Sequence, residues 1–303
     1  MVGMRRLGVV VVMMLSSMVG VAQQRTLLLW PKGNPEPSKV VGPEVDPTTD
    51  ANRMVSGKVT VRVTNVRQPT LTVYPPKGKN TGAAALVFPG GSYVRLAYNI
   101  EGTEVCDWLN SIGMTCVLVK YRVPEEGHYP ANVEDLEDAQ QAMRMTRVHA
   151  AEWGIDPQRI GVIGFSAGAH LAVVLSTHPD FQGKNVAASS VDARPDFQMV
   201  IYPGWLTGPG GKVDASVAPN AGVPPTFLVQ AENDYTAHVE NVLGYFQALK
   251  DARIPAELHV YTEGGHGFGM RPTELPISHW GAVAELWLHT IHVLGEPGVV
   301  GRP

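Results

Sequence analysis

The chain has 303 residues, 44% of them hydrophobic and 17% charged, with a formal net charge of −4. That length can bury a sizeable core in one large domain or two small ones. No run of like charge marks it for nucleic acid or for an anionic membrane surface.

The N-terminal stretch "MVGMRRLGVVVVMMLSSMVGVAQQ" puts Arg5 and Arg6 ahead of an apolar run, then Gly20-Val21-Ala22 before Gln23. A positive start, an apolar middle and small residues at the end form a secretory signal peptide, here residues 1–22, cleaved after Ala22. The apolar run is short for a retained anchor, and no cysteine follows it to carry a lipid. The expectation is a secreted or periplasmic protein with no stable membrane insertion after cleavage. Residues 23–57 are rich in Pro and charge and lack periodicity, which predicts an extended arm that packs over the body or stays mobile. No linker interrupts residues 58–296, so these read as a single domain.

Short β-rich runs bounded by Gly, Pro or Asn then recur. They are "KVTVRVTNV" (58–66), "PTLTVYPP" (69–76), "AAALVFPGG" (83–91), "TCVLVKYRV" (115–123), "RIGVIGF" (159–165), "FQMVIYP" (197–203), "PTFLVQAEN" (225–233) and "AELHVYTEG" (256–264). The first two alternate apolar and polar residues. From residue 83 on most are continuous Val, Ile, Leu and Phe, as in strands buried on both faces. Helical segments separate them. Val105, Trp108, Leu109 and Ile112 share one face, and Val133, Leu136, Ala139, Met143 and Ala150 another, with three further helices near 169–178, 239–252 and 278–295. Alternating strand and helix predicts an α/β fold with a mostly parallel sheet of about eight strands and helices on both faces. The only cysteines, Cys106 and Cys116, fall on a helix and on the strand after it. Export permits a disulfide, but apolar neighbours favour two buried free thiols.

Within "RIGVIGFSAGAHLAVVLS", Ser166 stands between Gly164 and Gly168 where an apolar strand becomes an apolar helix. In a chain with 32 glycines the Gly-x-Ser-x-Gly spacing alone is a weak signal, and a serine there also serves as an ordinary helix cap. A tight strand–turn–helix, however, lifts one side chain clear of the sheet as a nucleophile. A serine nucleophile needs a base and the base an orienting acid. "QAENDY" ends one later strand with Asp234, and "GGHGFGM" ends the last with His266 between glycines. The other histidines sit on helices, mid-strand or ahead of the last strand, and Glu232 is still within its strand. The candidate catalytic residues are therefore Ser166, Asp234 and His266. "VFPGGSY" ends the strand from Ala84 with a Gly-Gly loop whose amides, at Gly91 and Ser92, join that of Ala167 as candidate oxyanion donors. Tyr93, Trp205, Phe268 and Met270 lie on loops at strand C-terminal ends, and the first three are the candidate substrate contacts. No His/Cys/Asp cluster has metal-ligand spacing, so no metal or cofactor is expected.

The phrases "VFPGGSY", "YRVP", "WGIDPQRIGVIGFSAGAHLA", "FLVQAEND" and "GGHGFGMRP", with "LLLWPKGNPEP" and "NVRQPTLTVYPPK" before them, resemble the exported α/β-hydrolase esterases close to bacterial acetylxylan and feruloyl esterases. The likeness runs from about Leu27 to Leu294. It implies an α/β-hydrolase fold and a serine esterase with Ser166 as nucleophile, His266 as base, Asp234 as acid and residues 90–92 as oxyanion loop. The implied substrate is a small ester or acylated carbohydrate, with acetyl groups on a polysaccharide such as xylan first, and feruloyl or general short-chain esters second. Pro89 and Ser92 depart from the usual loop, which leaves open which two amides donate. A peptidase of this fold would carry a large N-terminal gating domain, and a lipase an extended apolar lid. A binding module would have lost a triad member.

Overall fold

The computed structural model describes residues 24–36, 40–46, 54–123 and 127–295; the expected signal peptide lies outside them. Eight strands form the central sheet: β1 (Arg25–Leu28), β2 (Thr70–Tyr74), β3 (Ala84–Phe88), β4 (Thr115–Lys120), β5 (Ile160–Phe165), β6 (Gln198–Ile201), β7 (Thr226–Ala231) and β8 (Ala256–Tyr261). Their order across the sheet is β1-β2-β4-β3-β5-β6-β7-β8. β1 and β2 run antiparallel, and every pairing from β3 to β8 is parallel. Among the described residues the α-helices are α1 (Glu104–Ser111), α2 (Glu134–Val148), α3 (Ala167–Thr177), α4 (Glu240–Asp251) and α5 (Trp280–Thr290). None is long and apolar enough to cross a membrane.

The continuous apolar runs are continuous because both faces of the sheet are covered. Along β3, Ala84, Leu86 and Phe88 enter a core shared with α2, α3 and α4, while Ala85 and Val87 enter a second core with α1 and α5. All five side chains are fully buried. Parallel strands with helical crossovers bring the C-terminal ends of β3, β5, β7 and β8 to one rim of the sheet, where loops can share a site.

Three expectations are corrected. The first strand of the sheet is β1, inside the stretch read as an aperiodic arm; Leu27 pairs with Leu71 and Arg25 with Val73. The 58–66 run does not join the sheet. Lys58–Val59 pairs with Met54–Val55, and Arg62–Val63 with Leu96–Ala97, as two small ribbons beside the loop after β3. With β1 on the outer edge of β2, the 58–66 run has no main-sheet partner to take. Cys106 and Cys116 are a disulfide, not free thiols, with Cα atoms 5.1 Å apart. The cause is the tight return from α1 into β4, which sets the buried face of the helix directly on the strand, within the reach of a cystine.

Candidate active site

Ser166 sits between β5 and α3 with φ 52° and ψ −117°, a backbone state that a residue with a Cβ rarely adopts. The bend is held by the Ser166 amide donating to the Ile201 carbonyl at 3.0 Å. It also needs the two flanking glycines. A Cβ on Gly164 would run into the Gly168 carbonyl, and one on Gly168 into the Phe88 carbonyl. The Ser166 hydroxyl makes no capping bond to α3, which sets aside the helix-cap reading. It donates instead to His266 Nε2 at 2.9 Å. The N-terminus of the eleven-residue α3 lies under it and favours negative charge there.

His266 Nδ1 donates to Asp234 Oδ2 at 2.7 Å. Asp234 is 1% exposed. Its Oδ1 accepts from the amides of Thr236 and Ala237, each at 2.9 Å, and Oδ2 also accepts from Gln230 Nε2 at 3.1 Å. Burial alone would raise this carboxyl, but the bonds from His266 and the two amides outweigh it and hold the group below its usual range. Asp234 is thus an acceptor that stays ionised. Its neighbour Asn233 also matters: Asn233 Oδ1 accepts from the amides of Gly264 and Gly265 at 3.1 and 2.9 Å, tying the histidine loop to the acid loop.

The loop after β3 folds over Ser166 so closely that a Cβ on Gly90 would lie 2.8 Å from the serine Cβ. The Gly90 amide is occupied, donating to Glu101 Oε2 at 2.7 Å. The amides of Gly91, Ser92 and Ala167 donate to no acceptor among the described residues. Glu101, which sequence reasoning missed, lies in a π-helical turn at Asn99–Thr103 that runs into α1, the kind of bulge that recurs at functional sites. Its Oε1 accepts from the Tyr202 hydroxyl at 2.9 Å, and the Tyr202 ring sits edge-on to His266 at 5.1 Å. Burial pushes the Glu101 carboxyl up, against the bonds from Gly90 and Tyr202.

A cavity of about 280 Å³ opens on Ser166 and His266, walled by Thr60, Arg62, Gly91, Ser92, Arg95, Glu101 and Thr236 with Val55, Ala97 and Ile100. The three aromatics expected at the substrate line other places. Tyr93 is 1% exposed and hydrogen-bonded to His170 Nδ1 at 2.8 Å. Trp205 tilts against His128 and Tyr93, with ring centroids 5.0 and 5.8 Å apart, and stays 41% exposed. Phe268 packs edge-on to Tyr202 at 4.5 Å. Loop position in the sequence located them near the rim, but side-chain direction takes Tyr93 and Phe268 into packing and Trp205 into an aromatic cluster outside this cavity. Their neighbour His170 is wholly buried, and desolvation pushes it down to about 3, so it is a neutral core residue.

A protein-family model described as BD-FAE matches residues 71–202. Among curated proteins, the chain is 29% identical over 236 residues to an acetylxylan esterase of Xylanibacter ruminicola, covering 70% of this chain and 46% of that one. It is also 29% identical over 217 residues to endo-1,4-beta-xylanase B of Butyrivibrio fibrisolvens, covering 64% and 34%. The chain therefore spans less than half the length of either relative. Among solved structures, an acetyl ester-xyloside bifunctional hydrolase from Caldicellulosiruptor lactoaceticus superposes with a TM-score of 0.70 at 31% identity, over 89% of this chain and 97% of that one. The α/β hydrolase MGS-M1 from a Medee basin deep-sea metagenome superposes at 0.62 and 26%, over 75% and 93%. A match at this identity along nearly the whole of a solved hydrolase, and through the β3–β6 segment that holds the serine bend, places the chain in the acetylxylan-esterase-like family of α/β hydrolases.

Proposed function

We propose that the chain is a serine carboxylic ester hydrolase that removes short acyl groups, acetyl first, from a polysaccharide such as xylan. The observation that carries this is the unbroken relay from Ser166 Oγ to His266 Nε2 and from His266 Nδ1 to Asp234, at 2.9 and 2.7 Å. Ser166 Oγ attacks the ester carbonyl as its proton passes to His266 Nε2, and Asp234 stabilises the imidazolium. The carbonyl oxygen becomes an oxyanion within reach of the free amides of Gly91, Ser92 and Ala167. The alcohol departs with the proton from His266. Water, deprotonated by the same nitrogen, then splits the acyl-enzyme and restores Ser166.

The size and polarity of the cavity favour a small acyl group over a phenolic one, because no Phe, Tyr or Trp among the described residues walls it. The names of the two curated relatives and of the solved hydrolase point to xylan-type substrates. Export completes the reading: the leader-like N-terminal residues agree with a disulfide as the state of both cysteines.

The test is hydrolysis of p-nitrophenyl acetate, butyrate and octanoate, then acetylated xylan and methyl ferulate, by wild type and Ser166→Ala. The expected outcome is activity greatest on the short esters and on acetylated xylan, falling by about 10⁴-fold or more in the variant. Equal activity in wild type and variant would overturn the mechanism.

A further inference from the structure

We propose that the cavity beside Ser166 holds a subsite for a carboxylate, anchored by Arg95, and that the enzyme acts on acyl esters lying next to an acidic sugar. This rests on the ester-hydrolase reading above and narrows its substrate class. Arg95 and Arg62 both wall the cavity that contains Ser166 and His266. Arg95 is half-buried, yet its guanidinium makes no ion pair or hydrogen bond. Every other buried or half-buried arginine among the described residues has a partner: Arg122 holds Asp138, Arg271 holds Glu104, and Arg147 holds Asp196, for example. None of the guanidinium nitrogens of Arg95 is sealed from solvent, so its donors stay open to a ligand that enters the cavity.

The position of Arg95 is fixed by backbone and not by a flexible stem alone. Its amide donates to the Gly91 carbonyl at 3.2 Å, closing the loop that carries two of the candidate oxyanion amides. Gly91 takes φ 138°, and a Cβ there would strike the Arg95 carbonyl. Glu101, the acidic side chain among the described residues of the cavity wall, makes no bond to Arg95; its two oxygens accept from Gly90 and from Tyr202.

The planar fork of arginine matches a carboxylate in two parallel hydrogen bonds, and the hydroxyls of Ser92 and Thr236 in the same cavity wall suit sugar hydroxyls. A uronic acid beside the acylated sugar has this chemistry.

The experiment compares acetate release from acetylated xylo-oligosaccharides with and without a glucuronic acid branch, using wild type, Arg95→Gln and Arg95→Lys, with thermal melting to verify folding. The expected result is a wild-type preference for the acidic substrate of about tenfold or more, carried mainly by KM and shrinking with added salt. Arg95→Gln should bring the ratio near one, and Arg95→Lys should restore part of it. A wild-type ratio near one, or a ratio unchanged in folded Arg95→Gln, overturns the subsite while leaving the esterase reading intact. Absence of Ser166-dependent release from any ester would instead overturn both.

Discussion

Ser166 keeps a conformation natural to glycine and costly for serine, of order 1–3 kcal/mol for such a backbone state. Replacing it by Ala removes the hydroxyl and keeps the strain; replacing it by Gly removes both. Ser166→Gly should therefore be more stable than Ser166→Ala by about 1–2 kcal/mol, with both inactive. Denaturant titration of the two proteins checks this, and equal stability would mean the bend carries no strain. At this scale the three relay residues were legible because each is a chemically marked type at a strand end with glycines or turn residues around it. Glu101 and Arg95 were not. An acid ahead of a helix reads as an ordinary N-terminal acid, and an arginine in a loop as a solvated charge; their meaning depends on which amides and cavity walls they meet.

At the scale of elements, the site is a set of loops tied to each other. Asn233 joins the β7 loop to the β8 loop through two amides of the histidine turn. Asn233→Ala should lower kcat about 10- to 100-fold with little change in KM, because a loosened base is lost to the reaction and not to binding; steady-state kinetics on p-nitrophenyl acetate would reveal the split. The start of α2 offers a test of a different kind. Burial pushes Asp135 up to about 7 from 3.8. The folded chain thus keeps a proton there that the unfolded chain gives up as pH rises from about 4 to 7, so through this group stability falls across that window. Asp135→Asn is neutral throughout. Its melting temperature relative to wild type should rise between about pH 4 and pH 7 and then level off, and a constant difference across that window would contradict the shift. Sequence periodicity found the buried strands and all five helices, since both-face burial writes itself as unbroken apolar runs. It misplaced the first strand, because "RTLL" is too short and too exposed to show a period, whereas the 58–66 run alternates well and pairs only in small ribbons.

Taken whole, the described residues form one mostly parallel sheet between two apolar cores, and the disulfide lies in the core shared with α1 and α5. It closes a loop with a sequence separation of ten, a constraint on the unfolded chain worth about 2–3 kcal/mol. The double variant Cys106→Ala, Cys116→Ala should melt at lower temperature by a corresponding amount. The intact mass of unreduced wild type should fall about 2 Da short of the dithiol value; a full dithiol mass together with an unchanged melting point would refute the bond.

That bond has a practical corollary. The chain contains two cysteines and both are consumed in it, so the native protein presents no thiol to a maleimide. A cysteine introduced at Tyr235, 85% exposed and adjacent to Asp234, would be a unique attachment point without any cysteine-free background. A fluorophore placed there would sit at the mouth of the reaction centre and could report a polymer chain arriving and leaving in real time.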